Sequence, residues 1–254
     1  MNLALEFPPI SHLVEWPIIF GGDTLGVNKV VLEMWLAVVI VFAFFYVASR
    51  KQQLVPAGVQ NVAESTVDFI RNGIILQTIG EEGLYWTPYL LVLFSFIFVG
   101  NLFEIIPVIQ MPIMARIALP FFMAVLTYVF YWFLGIKRHG LVGYLHKSLI
   151  PPGVPKAMLL LLVPIEFITL VFTQPFSLMV RLFANMFAGH LLLTTFAIIS
   201  AALFALQWQI VILPFSGFLL IALTGFELLV AFLQAFIFTI LTAVYIGNAL
   251  ASEH

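Results

Sequence analysis

Residues 157–206 read AMLLLLVPIEFITLVFTQPFSLMVRLFANMFAGHLLLTTFAIISAALFAL, an apolar run whose ionisable residues are Glu166, Arg181 and His190. A helix crosses the hydrocarbon of a bilayer in about 20 residues, so this run is roughly twice one crossing. Residues 209–250 form a second run of similar length. Pro164, Pro175 and Pro214 are able to kink a helix, yet their flanks lack the Gly, Asn, Asp and charge clusters that mark turns. Two readings stand: four ordinary spans, or a hairpin of two very long helices, strongly tilted so that part of each lies near the membrane plane.

The rest of the chain fits the same solvent. Of 254 residues 63% are hydrophobic and 9% charged, far outside the range of soluble globular domains. The apolar runs contain Pro and Gly and lack the ~10-residue alternation of an outer-membrane barrel, so the fold class is all-α and polytopic. A net charge of -2, without a basic cluster interleaved with aromatics, excludes a nucleic-acid partner. The absence of cysteine removes disulfides, thiol nucleophiles and thiolate metal sites. The N-terminal MNLALEFPPISHLVEW has no basic region followed by an apolar core and a small-residue cleavage site, so the first span is expected to direct its own insertion.

The expected plan is a single membrane domain over 1–254. A first span at 34–49 is closed by Arg50 and Lys51. Over 54–80, Val59, Val62, Val67, Ile70 and Ile74 fall near helical spacing with Asn61, Glu64, Asp68 and Arg71 between them, the pattern of an amphipathic helix on the inner surface. A second span at 89–109 holds Asn101 and Glu104, a third at 117–136 ends at Lys137 and Arg138, and the blocks 157–206 and 209–250 complete the plan. Among the ten Lys and Arg residues, Arg50, Lys51, Arg71, Lys137, Arg138, Lys147 and Lys156 fall on one side, Lys29 and Arg116 on the other, and Arg181 on neither. That bias places the N-terminus outside and the C-terminus in the cytoplasm.

Ionisable groups at bilayer depth cost at least ~2.5–3.5 kcal/mol each, so they mark function more often than accident. Arg181 and Asn185 are four residues apart and share a helix face, whereas His190 points elsewhere. Glu227 and Gln234, seven apart, form one polar stripe bordered by the small residues Thr224, Gly225 and Ala231. If the two long blocks meet near 206–209, His190 and Glu227 stand at similar depth, as do Arg181 and Gln234. Bland readings exist for each. Arg181 can be an interfacial anchor that snorkels to headgroups. His190 and Glu227 can be a structural pair, and Glu166 and Glu104 can sit near the two interfaces. The set as a whole, a cation with carboxylates and a histidine on neighbouring helices, is what a proton path requires.

These residues also carry a resemblance. PFSLMVRLFANMFAGH at 175–190, LQAFIFTILTAVYI at 233–246, NLFEIIP at 101–107, LVPAGVQNVAE at 54–64 and the terminal SEH resemble subunit a of the bacterial F-type ATP synthase. The resemblance implies five spans with the last two as the long tilted hairpin. It also implies a static, non-catalytic subunit in the bacterial plasma membrane, pressed against a rotating ring of carboxylate-bearing c subunits. Its further partners would be subunit b of the peripheral stalk, the other synthase subunits and membrane lipid, with no cofactor. By that likeness Arg181 is the essential arginine between two offset half-channels, and Asn185 and Gln234 flank it. His190 and Glu227 are an acid–histidine pair exchanged between helices relative to many members, which favours proton over sodium. Glu104 would line the outer path, and Ser177 and Glu166 match polar positions in or near the channels. The spacing from Glu166 to Pro175 is one residue longer than in many members.

Two rival classes fare worse. An intramembrane metalloprotease would need an HExxH-type helix, which this chain lacks. A self-contained secondary transporter would be expected to show internal repeats and unwound half-helices, and neither is evident.

Overall fold

The computed structural model describes residues 17–22, 26–50, 53–106, 109, 111–150, 154–205 and 213–251. Among these the chain is helical apart from turns and an isolated antiparallel bridge between Phe20 and Val27. The helices are α1 (Lys29–Arg50), α2 (Val59–Asp68), α3 (Thr87–Leu102), α4 (Ala118–Leu149), α5 (Lys156–Ile168), α6 (Gln174–Ala205) and α7 (Leu213–Leu250). Among the described residues five stretches are long and apolar enough to cross a membrane: Lys29–Arg50, Glu81–Leu102, Ala118–Leu149, Ala157–Ser200 and Pro214–Leu250. The protein is thus an all-α, multi-pass membrane protein, and its last third is built from two long stretches. The expected hairpin turn near 206–209 lies outside the described residues.

Local chemistry sets the boundaries. α1 starts at Lys29, before the expected 34, because the Asn28 side chain accepts a hydrogen bond from the Val31 N–H (3.1 Å) and so caps the first turn. α4 runs past the expected end at Lys137 and Arg138, but it is broken at Gly140, whose φ of 73° is left-handed. Straight helix would carry Tyr144 about 18 Å beyond Trp132. The break instead brings their rings together, with centroids 5.6 Å apart.

Two π-helical turns escape any reading of composition, Phe69–Ile75 and Thr169–Thr173. The second falls between Glu166 and Pro175, the interval that the resemblance leads one to expect is a residue longer than in many members. A π turn holds more residues than an α turn, so the surplus is absorbed locally and α6 resumes in regular register. Pro175 favours the site because it has no N–H to continue the α-helical ladder. The freed carbonyls are approached by side chains, and Thr173 Oγ1 donates to the Ile168 carbonyl at 3.5 Å.

α7 buries a stripe of mostly small residues, including Ala231, Ala235, Thr239, Thr242, Ala243 and Ala249. Small side chains let helices approach closely, which is how helices associate where lipid removes the hydrophobic drive. The Thr239 and Thr242 hydroxyls donate to the carbonyls of Ala235 and Phe238 (2.8 Å each), leaving their methyl groups for packing. By contact the chain divides into two compact units. One draws on Met1–Ala43, Ser95–Arg116 and Phe183–Gln234, the other on Phe44–Phe94, Ile117–Leu182 and Ala235–His254.

The π turn makes a sharp prediction. Deleting the exposed Phe172 should convert it to ordinary α-helix and leave expression and detergent-extracted folded protein near wild type. Deleting Ala184, within regular α6, should rotate all that follows by about 100° and cause a large loss of folded protein. Size-exclusion profiles of the two deletions compare them directly, and equal damage from both would mean the π turn is not a reserve of register.

Candidate functional site

In the unit containing Phe183–Gln234, α6 and α7 are joined by side chains at two levels. The Asn185 amide donates to Gln234 Oε1 at 2.8 Å. Four residues further along α6 and seven back along α7, Glu227 lies against Gly189, where an added Cβ would be 2.5 Å from Glu227 Oε2. Ascending one helix while descending the other is antiparallel packing. The Glu227 carboxyl therefore rests on the backbone beside His190, close to the level that spacing predicts. Gln234, matched in depth by the sequence arithmetic to Arg181, bonds one turn away at Asn185.

A third element closes this site. Past the end of α3, Glu104 is within charge–charge range of Glu227. Asn101 (0% exposed), Gln234 (2%), Glu227 (3%), Glu104 (6%) and His190 (8%) are all withdrawn from bulk solvent. Several of their polar atoms have no hydrogen-bond partner among the described residues: both amide atoms of Asn101, Glu104 Oε1, Glu227 Oε2 and Gln234 Nε2. Leaving such an atom unsatisfied costs about 1–3 kcal/mol, so a concentration of them is not explained by stability. It fits a polar seam that handles something mobile.

The other unit holds Arg181, Ser177 and Glu166. Arg181 is half-buried, and its Nη2 donates to Ser177 Oγ at 3.4 Å. Among the described residues no carboxylate pairs with it. The Tyr245 phenol is within its electrostatic range. Tyr245 also lines a cavity of about 320 Å³ with Glu166, Gln174, Tyr131, Tyr144, Lys147 and Asn248. Tyr131 donates to Gln174 Oε1 at 2.9 Å. Lys147 Nζ donates to the carbonyls of Asn248 (3.0 Å) and Ala251, satisfying acceptors that the end of α7 leaves open.

Sequence reasoning named Arg181, Ser177 and Glu166 but missed the tyrosines, Lys147 and Asn248. A signal existed for one of them: Tyr245 is eleven residues past Gln234, about 20° around the helix, so it continues the Glu227–Gln234 face. Lys147 and Tyr144 had no such signal, since the break at Gly140 brings them in. Among the described residues no group of three His, Asp or Glu side chains is placed to hold a metal ion.

Comparison with known proteins agrees on one family. Residues 31–247 match the family described as ATP synthase A chain. Relatives named ATP synthase subunit a include one from Nocardioides sp. strain JS614, 39% identical over 97% of this chain and 94% of its own length. Another, from Frankia alni, is 44% identical over 92% of this chain and 81% of its own. A third, from Mesorhizobium japonicum, is 38% identical over 96% and 95%.

The Gly189–Glu227 contact is directly testable. Gly189→Ala should force the carboxyl aside and lower the thermal midpoint of the detergent-solubilised protein, and adding Glu227→Ala should recover most of that loss. An unchanged midpoint in Gly189→Ala alone would mean the helices do not meet there.

Proposed function

The chain belongs to the ATP synthase A chain family, and from that premise we propose that it is the proton-translocating stator subunit of the synthase's membrane sector, with no ATP chemistry of its own. The observation that carries the reading is Arg181, a half-buried cation on a long apolar helix with no carboxylate of the described chain paired to it. Such a charge costs at least ~2.5–3.5 kcal/mol at bilayer depth. A counter-charge brought by another subunit offsets that cost, and a ring of c subunits, each with a membrane-embedded carboxylate, brings one repeatedly.

The chemistry follows from the guanidinium. With a pKa above ~12 it never yields its proton, so it cannot relay one. It favours the ionised form of each arriving ring carboxylate, which promotes proton release on one side and bars direct passage to the other. Asn185 and Gln234, hydrogen-bonded to each other, match by the family resemblance the polar positions that flank the arginine and face the ring. Glu104, Glu227 and His190 form the outer half-channel. The cavity at Glu166, with Ser177 and Tyr245 leading toward Arg181, forms the inner one. During synthesis a proton enters by the outer path, boards a ring carboxylate, travels with the ring and leaves by the inner path. In this arrangement the N-terminus is outside the bacterial plasma membrane, the C-terminus is cytoplasmic, α2 lies on the inner surface, and subunit b contacts the face away from the ring.

Two experiments test the assignment. Arg181→Ala should lower ATP-driven proton pumping by roughly 10²-fold or more while the complex still assembles, and normal coupled pumping would sink the role given to Arg181. For the exchanged pair, His190→Glu combined with Glu227→His should preserve more pumping than either change alone. Strictly additive losses in that cycle would mean the two side chains act independently.

A further inference from the structure

α6 carries Arg181, and the rotation of that helix about its own axis decides where the side chain points. The helix begins at Gln174, directly after the π turn, and the Gln174 N–H bonds the Thr169 carbonyl five residues back. A turn this wide offsets the register across it, so α5 does not dictate the rotation of α6. The buried side chains nearby on α6, Leu178 and Leu182, are apolar. Such packing holds a rotation weakly, because it has no direction and lipid tails compete for it.

A directional contact stands at the start of the helix. The Tyr131 hydroxyl, on α4, donates to Gln174 Oε1 at 2.9 Å. Tyr131 is 2% exposed, and its ring meets those of Tyr128 and Tyr245 with centroids 5.4 Å away in each case, so the hydroxyl is held in place. Any acceptor would satisfy a buried phenol. This acceptor, however, lies on the face of α6 that carries the arginine: Gln174 and Arg181 are seven residues apart, within about 20° on a helix of about 3.6 residues per turn. A rotation of about 20° moves a side-chain atom about 5 Å from the axis by about 2 Å, several times the ~0.5 Å spread of hydrogen-bond lengths. All of these residues belong to the same compact unit.

We propose that Tyr131 is a positioning residue: through its hydrogen bond to Gln174 it fixes the rotation of α6 and so aims Arg181. α4 then takes part in the site through a bond placed two turns before the arginine. This rests on reading Arg181 as the cation that meets the ring carboxylates.

The test uses the intact complex in inverted membrane vesicles, normalised to assembled complex. Two quantities are read: ATP-driven acidification, and proton leak under an imposed pH gradient without nucleotide. Tyr131→Phe keeps the ring and loses the donor, and Gln174→Leu loses the acceptor. Each should slow pumping roughly 3- to 10-fold, the scale of coupling between residues in contact, and the double variant should be no slower than the slower single. Each should also raise the leak, because an arginine turned aside no longer bars direct passage. A bond that only stabilised the fold would lower the yield of complex and leave the leak per complex unchanged. On Arg181→Ala, whose leak is already high, adding Tyr131→Phe should change nothing. Should Tyr131→Phe fail to assemble, Gln174→Leu carries the same comparisons. Wild-type pumping by the single variants, an unchanged leak, losses that multiply in the double, or a leak that rises further on Arg181→Ala overturns the positioning role. Wild-type pumping and leak in Arg181→Ala itself remove the reading of Arg181, and this inference with it.

Discussion

Two helices clothed in leucine, phenylalanine and isoleucine have little reason to pair in a bilayer, because lipid tails solvate such side chains as well as another helix does. What joins α6 to α7 is therefore specific and polar: the Asn185–Gln234 amide bond, and the Glu227 carboxyl seated on the bare backbone of Gly189. Each needs close approach, and the missing side chain at Gly189 permits it. The same approach that holds the helices together fixes the depth and direction of the carboxyl. Packing and chemistry here are a single arrangement, and a change in helix spacing is a change in the site.

Arg181 stands apart from this economy. The polar groups on α7 and past α3 are gathered among themselves, whereas Arg181 reaches a hydroxyl at 3.4 Å and a phenol within electrostatic range. A site that completed its own charge balance would bind a passing carboxylate no better than solvent does. An incomplete one retains attraction for an external anion, and because the guanidinium's proton is fixed the attraction cannot be lost by transfer. Under the proposed function, the neutralisation of Arg181 falls to a carboxylate carried past it by another subunit.

Much of this was legible in the sequence, and the boundary of legibility is physical. Length and hydropathy reveal the spans, since every backbone polar group at bilayer depth must be bonded within a helix. Angular arithmetic along α7 found Glu227 and Gln234 on one face, and counting back from a presumed turn placed Glu227 near His190. That arithmetic was a turn off for Gln234, because depth counted from a hairpin tip ignores how two helices cross. The hidden features depend on hydrogen-bond register or backbone handedness. Gly140 and the two π turns belong to this group, and with Gly140 the gathering of Tyr144 and Lys147 at the Glu166 cavity.

The π turn at Thr169–Thr173 bears on how a long helix tolerates a change in chain length. A widened turn already holds more residues than an α turn, so the loss of one residue there is taken up locally and the register of Arg181 and the rest of α6 is kept. Chain length in this stretch is thereby separated from the orientation of the groups that follow it.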